Sequence, residues 1–476
     1  MTCLHVFLRI FLFFSVVFSA FFCTAYSAAA LAQARPPVQE WLRNEGLPIQ
    51  AAGILLAPAD GTGAALLSLN ANQALNPASV MKLYTTYGAL ELMGAPYTWK
   101  THILSSAKPQ GTSLNGDVTI KGTGDPSLKL QDVWRLLREL RLLGVKHIAG
   151  DWVLDRSVFE PDRSDPYQFD GDGARPYNVA PDGLLMSFNA TRLTFRPHDA
   201  GWAVGADPMP LGWVLKGAVD STAGECEEWR KKLSLVFSQT SSGGVITVAG
   251  SIPKACGTQE LYRAIAPAQA YAAGLIKTLW AELGGTHAGG FKAGIAPQDA
   301  SVLAEIESDP LSTIIRDINK RSNNVMARML YLNLARTPAA SKQTAQARLR
   351  SWLNSAGLND ASLVFDNGSG LSREERASAG ALIKLLQHAY AGPYMPEFMS
   401  SLAVVAQDGT VSRRMNGAAG SAHVKTGTLR DSAALAGYVL GASGKRYALA
   451  AIVNHTNTTG ARIVFDKLVL WVQQNG

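Results

Sequence analysis

The sequence has few cysteines and histidines, and it lacks the short motifs that identify several large enzyme classes. It contains no G-x-S-x-G, no H-E-x-x-H and no Walker-type phosphate loop. Its eight histidines form no pair at i, i+4 spacing, and no cysteine or histidine lies close enough to Cys226 and Cys256 to complete a four-ligand zinc site. The sequence therefore gives little support to metal catalysis, and we expect no metal or other cofactor.

Long apolar segments are also missing, apart from one near the start of the chain. Arg9 precedes an apolar run over residues 10–23, small residues follow it, and Ala32-Gln33-Ala34 fits a cleavage site. The run is too short and wrongly flanked for a good membrane span. We expect residues 1–34 to be a signal peptide, with an uncleaved anchor as the alternative, and a periplasmic mature chain without a stable membrane anchor.

Export changes the interpretation of the two cysteines that remain in the mature chain. In an oxidising compartment, Cys226 and Cys256 are expected to form one disulfide. Two buried free thiols are the alternative.

The balance of charge says little about chemistry. Of 476 residues, 47 % are apolar and 17 % charged, which is ordinary for a globular protein of two or three domains. The net charge of +7 is scattered, and neither a nucleic-acid motif nor an aromatic-basic stripe is present. A basic exported protein favours encounter with an anionic polymer such as cell wall, and no nucleic-acid partner is expected.

Strand-like patterns lie at both ends of the mature chain. Residues 53–70 predict a hairpin, residues 76–94 a helix, and three strand-like segments precede a terminal helix. Between about 100 and 290, short strand-like runs alternate with Gly, Pro and Asp. The simplest architecture is one α/β domain built from both ends of the chain, with β-rich subdomains inserted in its middle.

One serine–lysine pair stands at the start of a convincing helix. The pattern S-x-x-K occurs three times, but Ser105 lies in a turn-like stretch, and Pro253 follows Ser251 within the turn that would have to be helical. Ser79 and Lys82 open the helix of residues 76–94, where i, i+3 spacing puts both side chains on one face. A desolvated lysine amine there can take the proton of the serine hydroxyl. A capping serine beside a solvated lysine is the alternative.

Two further short motifs follow the serine–lysine pair along the chain. Ser322-Asn323-Asn324 gives S-x-N at a predicted helix end, and Lys425-Thr426-Gly427 gives K-T-G on a predicted strand. The chain resembles the D-alanyl-D-alanine carboxypeptidase/endopeptidase family, the class C low-molecular-mass penicillin-binding proteins. The resemblance rests on runs such as NPASVMKLYTTYGALELMG, KGTGDPSL, YNVAPDGLLMSFN, FDNGSGLSR, QDGTVSRR and VKTGTLRDSAALAGYV.

The resemblance implies a fold and a division of the chain. The expected fold is α/β, a transpeptidase-like (serine β-lactamase-like) domain whose antiparallel sheet is flanked by helices, with inserted β-rich subdomains. The catalytic domain would comprise residues 35–104 and 291–476. Inserted domain II would comprise 105–191 and 251–290, and inserted domain III 192–250.

The resemblance also implies an acyl-enzyme mechanism on peptidoglycan stem peptides, with β-lactam antibiotics as inhibitors. Ser79 would be the nucleophile, Lys82 its base, and Ser322 a proton relay backed by Lys425, while Asn324 holds Lys82. The substrate would be bound by Thr426, Gly427 and Thr428, whose backbone N–H completes an oxyanion hole with that of Ser79.

Two further residues would bind a zwitterionic side chain of the stem peptide. They are Asp172, with Asp170 as its rival, and Arg373.

Other functions remain open at this point. A β-lactamase shares the three motifs, but the E-x-x-L-N stretch of the class A enzymes is absent. A penicillin sensor would need a visible signalling partner or membrane span. A non-catalytic wall-binding protein would have no need of the intact motifs. The sequence does not divide carboxypeptidase from endopeptidase activity, and it leaves the oligomeric state open.

Overall fold

The computed structural model describes residues 35–199 and 201–476, so the predicted signal peptide lies outside the described residues. The helices are α1 (Val38–Asn44), α2 (Lys82–Met93), α3 (Leu130–Leu142), α4 (Ala268–Glu282), α5 (Leu311–Arg321), α6 (Asn324–Asn333), α7 (Lys342–Ser355), α8 (Ala379–Ala391), α9 (Met395–Ser401) and α10 (Thr458–Asn475). Within those described ranges, no helix combines the length and the hydropathy needed to cross a bilayer.

A six-stranded antiparallel sheet joins the two ends of the chain. Its spatial order is β19 (Ala403–Val404), β20 (Ala422–Leu429), β21 (Ser432–Leu440), β22 (Arg446–Val453), β1 (Ala52–Pro58) and β2 (Leu67–Leu69). The predicted hairpin is confirmed, since Ile54 pairs with Leu69. The first strand therefore pairs with the last one, which closes one domain around everything inserted between them.

Both faces of this sheet are covered by helices. Along β22, Ala448, Ala450 and Ile452 pack on the side of α2, α5, α6 and α8. The alternate residues Leu449 and Val453 pack with α1 and α10 on the other side. Because successive side chains of a strand point to opposite faces, apolar residues at every position produce this two-sided core. The predicted α/β fold with a helix-flanked antiparallel sheet is confirmed.

Smaller sheets occupy the middle of the chain. A five-stranded sheet has the order β17 (Phe291–Ala293), β8 (Trp152–Asp155), β6 (Val118–Lys121), β3 (Lys100–Ser105) and β18 (Ser301–Glu307). A four-stranded sheet has the order β16 (Thr286–His287), β7 (His147–Ile148), β5 (Ser113–Leu114) and β4 (Pro109–Gln110). A third has β10 (Gly201–Asp207), β9 (Thr191–His198) and β15 (Gln259–Arg263). In a fourth sheet, β14 (Gly243–Pro253) pairs with β11 (Trp213–Gly217), β12 (Asp220–Thr222) and β13 (Leu233–Thr240).

These pairings bear on the domain boundaries and on two of the serine–lysine patterns. Strand β3 pairs with the inserted strand β6, β17 pairs with the inserted strand β8, and β18 pairs with β3. We therefore propose boundaries near 99 and 308 instead of 104 and 291. Ser105 is the last residue of β3, with bends and a turn in the residues after it, and Ser251 lies within β14, where Pro253 ends the strand. The prediction that neither segment forms a helix is confirmed. Neither serine stands on a helix.

The two inserted regions have cores of their own. Apolar side chains of α3, α4 and the five-stranded sheet form one of them. The second insert core consists of Leu193, Phe195, Trp202, Trp213, Val219, Trp229, Ile246, Val248, Ile252, Leu261 and Ile265. Cys226 and Cys256 form a disulfide, as predicted, with Cα atoms 4.8 Å apart, and Cys256 packs against this second insert core.

Candidate active site

Ser79 lies in a single 3-10 turn, Ala78–Met81, which leads directly into α2. Ala78 has a positive φ of 45°, and its N–H donates to Asn76 Oδ1 at 2.9 Å. A non-glycine residue in this region is strained, and the surrounding contacts must hold it there. Asn454 and Ser432 supply two of those contacts, since Asn454 Nδ2 (3.0 Å) and Ser432 Oγ (2.7 Å) both donate to the carbonyl of Asn76.

Lys82 is fully buried and points at the serine. Its Nζ lies 3.0 Å from Ser79 Oγ, 2.6 Å from Asn324 Oδ1 and 2.5 Å from the backbone carbonyl of Ser369. Burial lowers the pKa of Lys82 well below its usual value, and the positive charge of Lys425 adds to that effect. The solvated lysine of the alternative interpretation is therefore excluded.

Ser322 and Lys425 form a second pair beside the first. Ser322 terminates α5 in the left-handed conformation, with φ 56°, and Lys425 lies on β20 as predicted. Lys425 Nζ donates to Ser322 Oγ at 2.9 Å and to the carbonyl of Thr426 at 2.6 Å. Burial lowers the pKa of Lys425 to about 7.

Strand β20 runs very close to the turn Ala78–Met81, which is called the serine turn below. A Cβ atom at Gly427 would lie 2.7 Å from the carbonyl oxygen of Pro77 and 2.9 Å from the backbone nitrogen of Ser79. Only glycine permits this approach, which brings the β20 backbone beside the Ser79 N–H. Thr428, the next residue on the strand, is exposed.

A loop over residues 366–376 also packs against the backbone of Ala78 and Ser79. It places the Ser369 carbonyl on Lys82, and Gly370 packs on the serine turn. A Cβ at Gly370 would lie 1.9 Å from the carbonyl oxygen of Ala78. The loop folds around the buried carboxylate of Glu375, which accepts backbone N–H groups at 2.7 Å from Gly368 and from Gly370.

A cleft of about 680 Å³ opens beside these groups, and its lining includes Asn324, Thr428, Arg373 and Asp170. Arg373 pairs with Asp431 at 2.9 Å and lies over the ring of Phe169.

The two candidate aspartates differ in their relation to this cleft. Asp170 is exposed on its wall, where it accepts hydrogen bonds from Tyr177 Oη at 2.7 Å and Asn178 Nδ2 at 2.8 Å. Asp172 is absent from the cleft lining, and its carboxylate pairs with Arg175 at 2.5 Å. The structure therefore brings Asp170, the rival candidate, to the cleft in place of Asp172.

The structure thus brings Ser79, Lys82, Asn324, Ser322 and Lys425 together, with Thr426, Gly427 and Thr428 continuing along β20. Sequence reasoning missed the contributions of Ser369, Gly370 and Glu375. The run DNGSGLSREER carries the only signal for them, two glycines followed by an acidic residue.

Comparisons with known proteins agree with this geometry. A family model described as the D-Ala-D-Ala carboxypeptidase 3 (S13) family matches residues 35–475. The D-alanyl-D-alanine carboxypeptidase of Actinomadura sp. (strain R39) is 28 % identical over 440 residues, 88 % of this chain and 80 % of that protein. The D-alanyl-D-alanine carboxypeptidase DacB of Haemophilus influenzae is 26 % identical over 392 residues, 80 % of this chain and 81 % of that protein.

Solved structures share the fold over nearly the whole chain. The crystal structure of penicillin-binding protein 4 (dacB) from Haemophilus influenzae superposes with a TM-score of 0.75 at 23 % identity, covering 91 % of this chain and 99 % of that chain. A predatory endopeptidase from Bdellovibrio bacteriovorus, acylated by penicillin G, superposes with a TM-score of 0.50 at 18 % identity, covering 89 % of this chain and 92 % of that chain.

Proposed function

The chain belongs to the D-Ala-D-Ala carboxypeptidase 3 (S13) family, and from that membership we propose that it hydrolyses peptidoglycan stem peptides through an acyl-enzyme on Ser79. The reaction is that of a serine D-Ala-D-Ala carboxypeptidase. Hydrolysis of cross-links is the same cleavage, with a second stem peptide in place of the terminal D-alanine. The proposed location is the periplasm, where that substrate lies.

One observation carries this proposal, the hydrogen-bonding environment of Lys82. Two of its neighbours, Asn324 Oδ1 and the Ser369 carbonyl, can only accept hydrogen bonds, while the third is the Ser79 hydroxyl. A neutral amine has two N–H donors and one lone pair. It therefore satisfies both acceptors and directs its lone pair at the Ser79 O–H, as a general base requires.

The proposed first step is acylation. The Ser79 proton passes to Lys82 Nζ as Ser79 Oγ attacks the carbonyl carbon of the penultimate D-alanine. The backbone N–H groups of Ser79 and Thr428 stabilise the oxyanion, because β20 runs beside the serine turn at Gly427. The carbon–nitrogen bond then breaks, and the departing amine takes a proton through Ser322, which Lys425 contacts at 2.9 Å. Water releases the acyl group in the second step.

Two pairs of residues are assigned to substrate binding. Lys425 and Thr426 bind the terminal carboxylate, and Thr410 Oγ1 fixes Thr426 Oγ1 at 2.6 Å. Arg373 and Asp170 bind the carboxylate and the ammonium of a zwitterionic side chain. Here Asp170 replaces Asp172, which Arg175 already neutralises.

The test is covalent trapping with a β-lactam. The purified mature protein is incubated with penicillin and digested, and the adduct is located by mass spectrometry with Ser79→Ala as control. We expect a penicilloyl group on the peptide that contains Ser79, none in the variant, and D-alanine release from a pentapeptide. Intact penicillin without an adduct would favour a non-catalytic wall-binding protein, and rapid penicillin hydrolysis without an adduct would favour a β-lactamase.

A further inference from the structure

Glu375 is a buried carboxylate to which the proposed mechanism gives no role. It is completely buried at the end of the 366–376 loop. Four backbone N–H groups point at its oxygens. Those of Gly368 and Gly370 lie at 2.7 Å, that of Asn367 at 3.1 Å and that of Asp366 at 3.3 Å. All four partners are donors, so the geometry suits an ionised carboxylate, which only accepts.

The loop that Glu375 holds is in direct contact with the reacting groups. Ser369 lies between two of the residues whose N–H groups bind Glu375, and its carbonyl accepts from Lys82 Nζ at 2.5 Å. Gly370 packs against the Ala78–Ser79 peptide more closely than any other residue type would allow. A displacement of this loop therefore moves both the acceptor of Lys82 and one wall of the serine turn.

The charge of Glu375 matters as well as its hydrogen bonds. The charge of Glu375 acts on two basic side chains, the buried Lys82 on α2 and the partly buried Arg328 on α6. Among the described residues neither of them forms an ion pair. Other ionisable groups near Glu375 include Asp366 on its own loop, Tyr331 on α6 and Arg376, whose Nη1 donates to the Glu375 carbonyl at 2.9 Å. Burial raises the pKa of Glu375, and the backbone N–H groups that it accepts oppose this effect. As an anion, Glu375 favours the protonated form of Lys82.

We propose that Glu375 is a positioning residue for acylation, which fixes the Ser369 carbonyl on Lys82 and provides the negative charge that the buried lysine faces. This inference rests on the proposed function, since it concerns the base of that reaction. The charge of Glu375 changes the pKa of Lys82 in a known direction. The anion favours the ammonium form of Lys82, so its removal lowers the pKa of that lysine further.

The test is Glu375→Gln, with Glu374→Gln as the matched control. The control makes the same change at the preceding residue, which is exposed. At position 375 a glutamine has one acceptor oxygen, so its amide nitrogen faces a backbone N–H on one side of the loop. We expect Glu375→Gln to lower the second-order rate constant of acylation by penicillin on the order of tenfold to a hundredfold.

The pH profile separates positioning from a merely structural role. Acylation needs neutral Lys82, so its rate rises with pH through the pKa of that lysine. In Glu375→Gln this acidic limb should move to lower pH, and in Glu374→Gln it should stay at the wild-type position. A wild-type rate and profile in a folded Glu375→Gln protein would overturn the inference.

Two further outcomes are decisive. If Glu375→Gln fails to fold, Glu375→Asp takes its place. It keeps the charge but shortens the reach, so we expect slow acylation with an unmoved acidic limb, and wild-type rates there would refute the positioning role. If wild-type protein forms no adduct on Ser79, the proposed function itself fails. Normal wild-type acylation with normal acylation in the Glu375 variants removes only the present inference.

Discussion

Both lysines of the site are buried, and both bind uncharged oxygens. Lys82 contacts a hydroxyl, an amide and a backbone carbonyl, and Lys425 contacts a hydroxyl and a backbone carbonyl. A buried ammonium without a paired carboxylate is costly, so each lysine is biased towards its neutral form. The same desolvation that destabilises the folded protein supplies Lys82 with a basic lone pair near neutral pH.

The cost of burying Lys425 should be measurable as a pH dependence of stability. Its pKa is about 7 in the folded protein and 10.5 in the reference state, so between these values the unfolded chain binds a proton that the folded chain does not. The free energy of unfolding of the wild type should therefore rise with pH across this window. Lys425→Met, of similar volume, should lack that contribution and should acylate far more slowly than wild type.

The measurement is urea unfolding at several pH values. The result is the difference between the free energies of unfolding of the wild type and the variant at each pH. Lys216→Met, at an exposed lysine on β11, is the control and should leave the wild-type pH dependence in place. A wild-type minus Lys425→Met difference that does not change with pH would contradict the assigned burial cost. Wild-type acylation rates in Lys425→Met would contradict its proposed role in catalysis.

At the scale of elements, the site depends on how closely β20 approaches the serine turn. The strand contributes Lys425 by its side chain, but Gly427 and Thr428 contribute through the position of the backbone. Gly427→Ala would put a methyl group against the carbonyl oxygen of Pro77 and the nitrogen of Ser79, so the strand and the turn must separate. We expect acylation to fall about a hundredfold, because small displacements of reacting groups have effects of that size.

The control for this prediction is Gly205→Ala on β10. That glycine is exposed, and an added Cβ would meet nothing within 4 Å. Penicillin acylation and thermal melting of both variants give the comparison. Equal acylation rates in Gly427→Ala, Gly205→Ala and wild type would show that the close approach is unimportant.

The elements were more predictable than the contacts between them. The strand 422–429 follows from its strand-like pattern, and the helix after Ser79 follows from an apolar run bounded by the local signals Asn76-Pro77 and Gly94. The motifs then located the reacting side chains. The role of the 366–376 loop could not be predicted, because its hydrogen bonds to Glu375 and Lys82 join backbone groups that carry no side-chain signature. Asp170 and Asp172 could not be separated, because a two-residue step in a loop decides which one faces the cleft.

At the scale of the whole molecule, the chain folds around several separate cores. The six-stranded sheet and its helices hold the reacting groups, whereas the second insert core belongs to strands between β9 and β15. Proteins built from separate cores commonly unfold in more than one transition. The second insert core is small, and the disulfide of residues 226 and 256 spans part of it.

Breaking this disulfide should therefore destabilise the second insert core and leave the active site working. Closing a loop with a sequence separation of 30 residues stabilises a fold by about 3–4 kcal/mol, chiefly by restricting the unfolded chain. In the Cys226→Ser/Cys256→Ser variant, calorimetry should show an early transition that the oxidised wild type lacks. Penicillin acylation of Ser79 below that transition should match the wild-type rate, because the reacting groups lie on other cores. Dithiothreitol should reproduce the early transition in the wild type and change nothing in the variant. A single transition that moves as a whole, with acylation lost in parallel, would show instead that the inserts and the six-stranded sheet unfold as one cooperative unit.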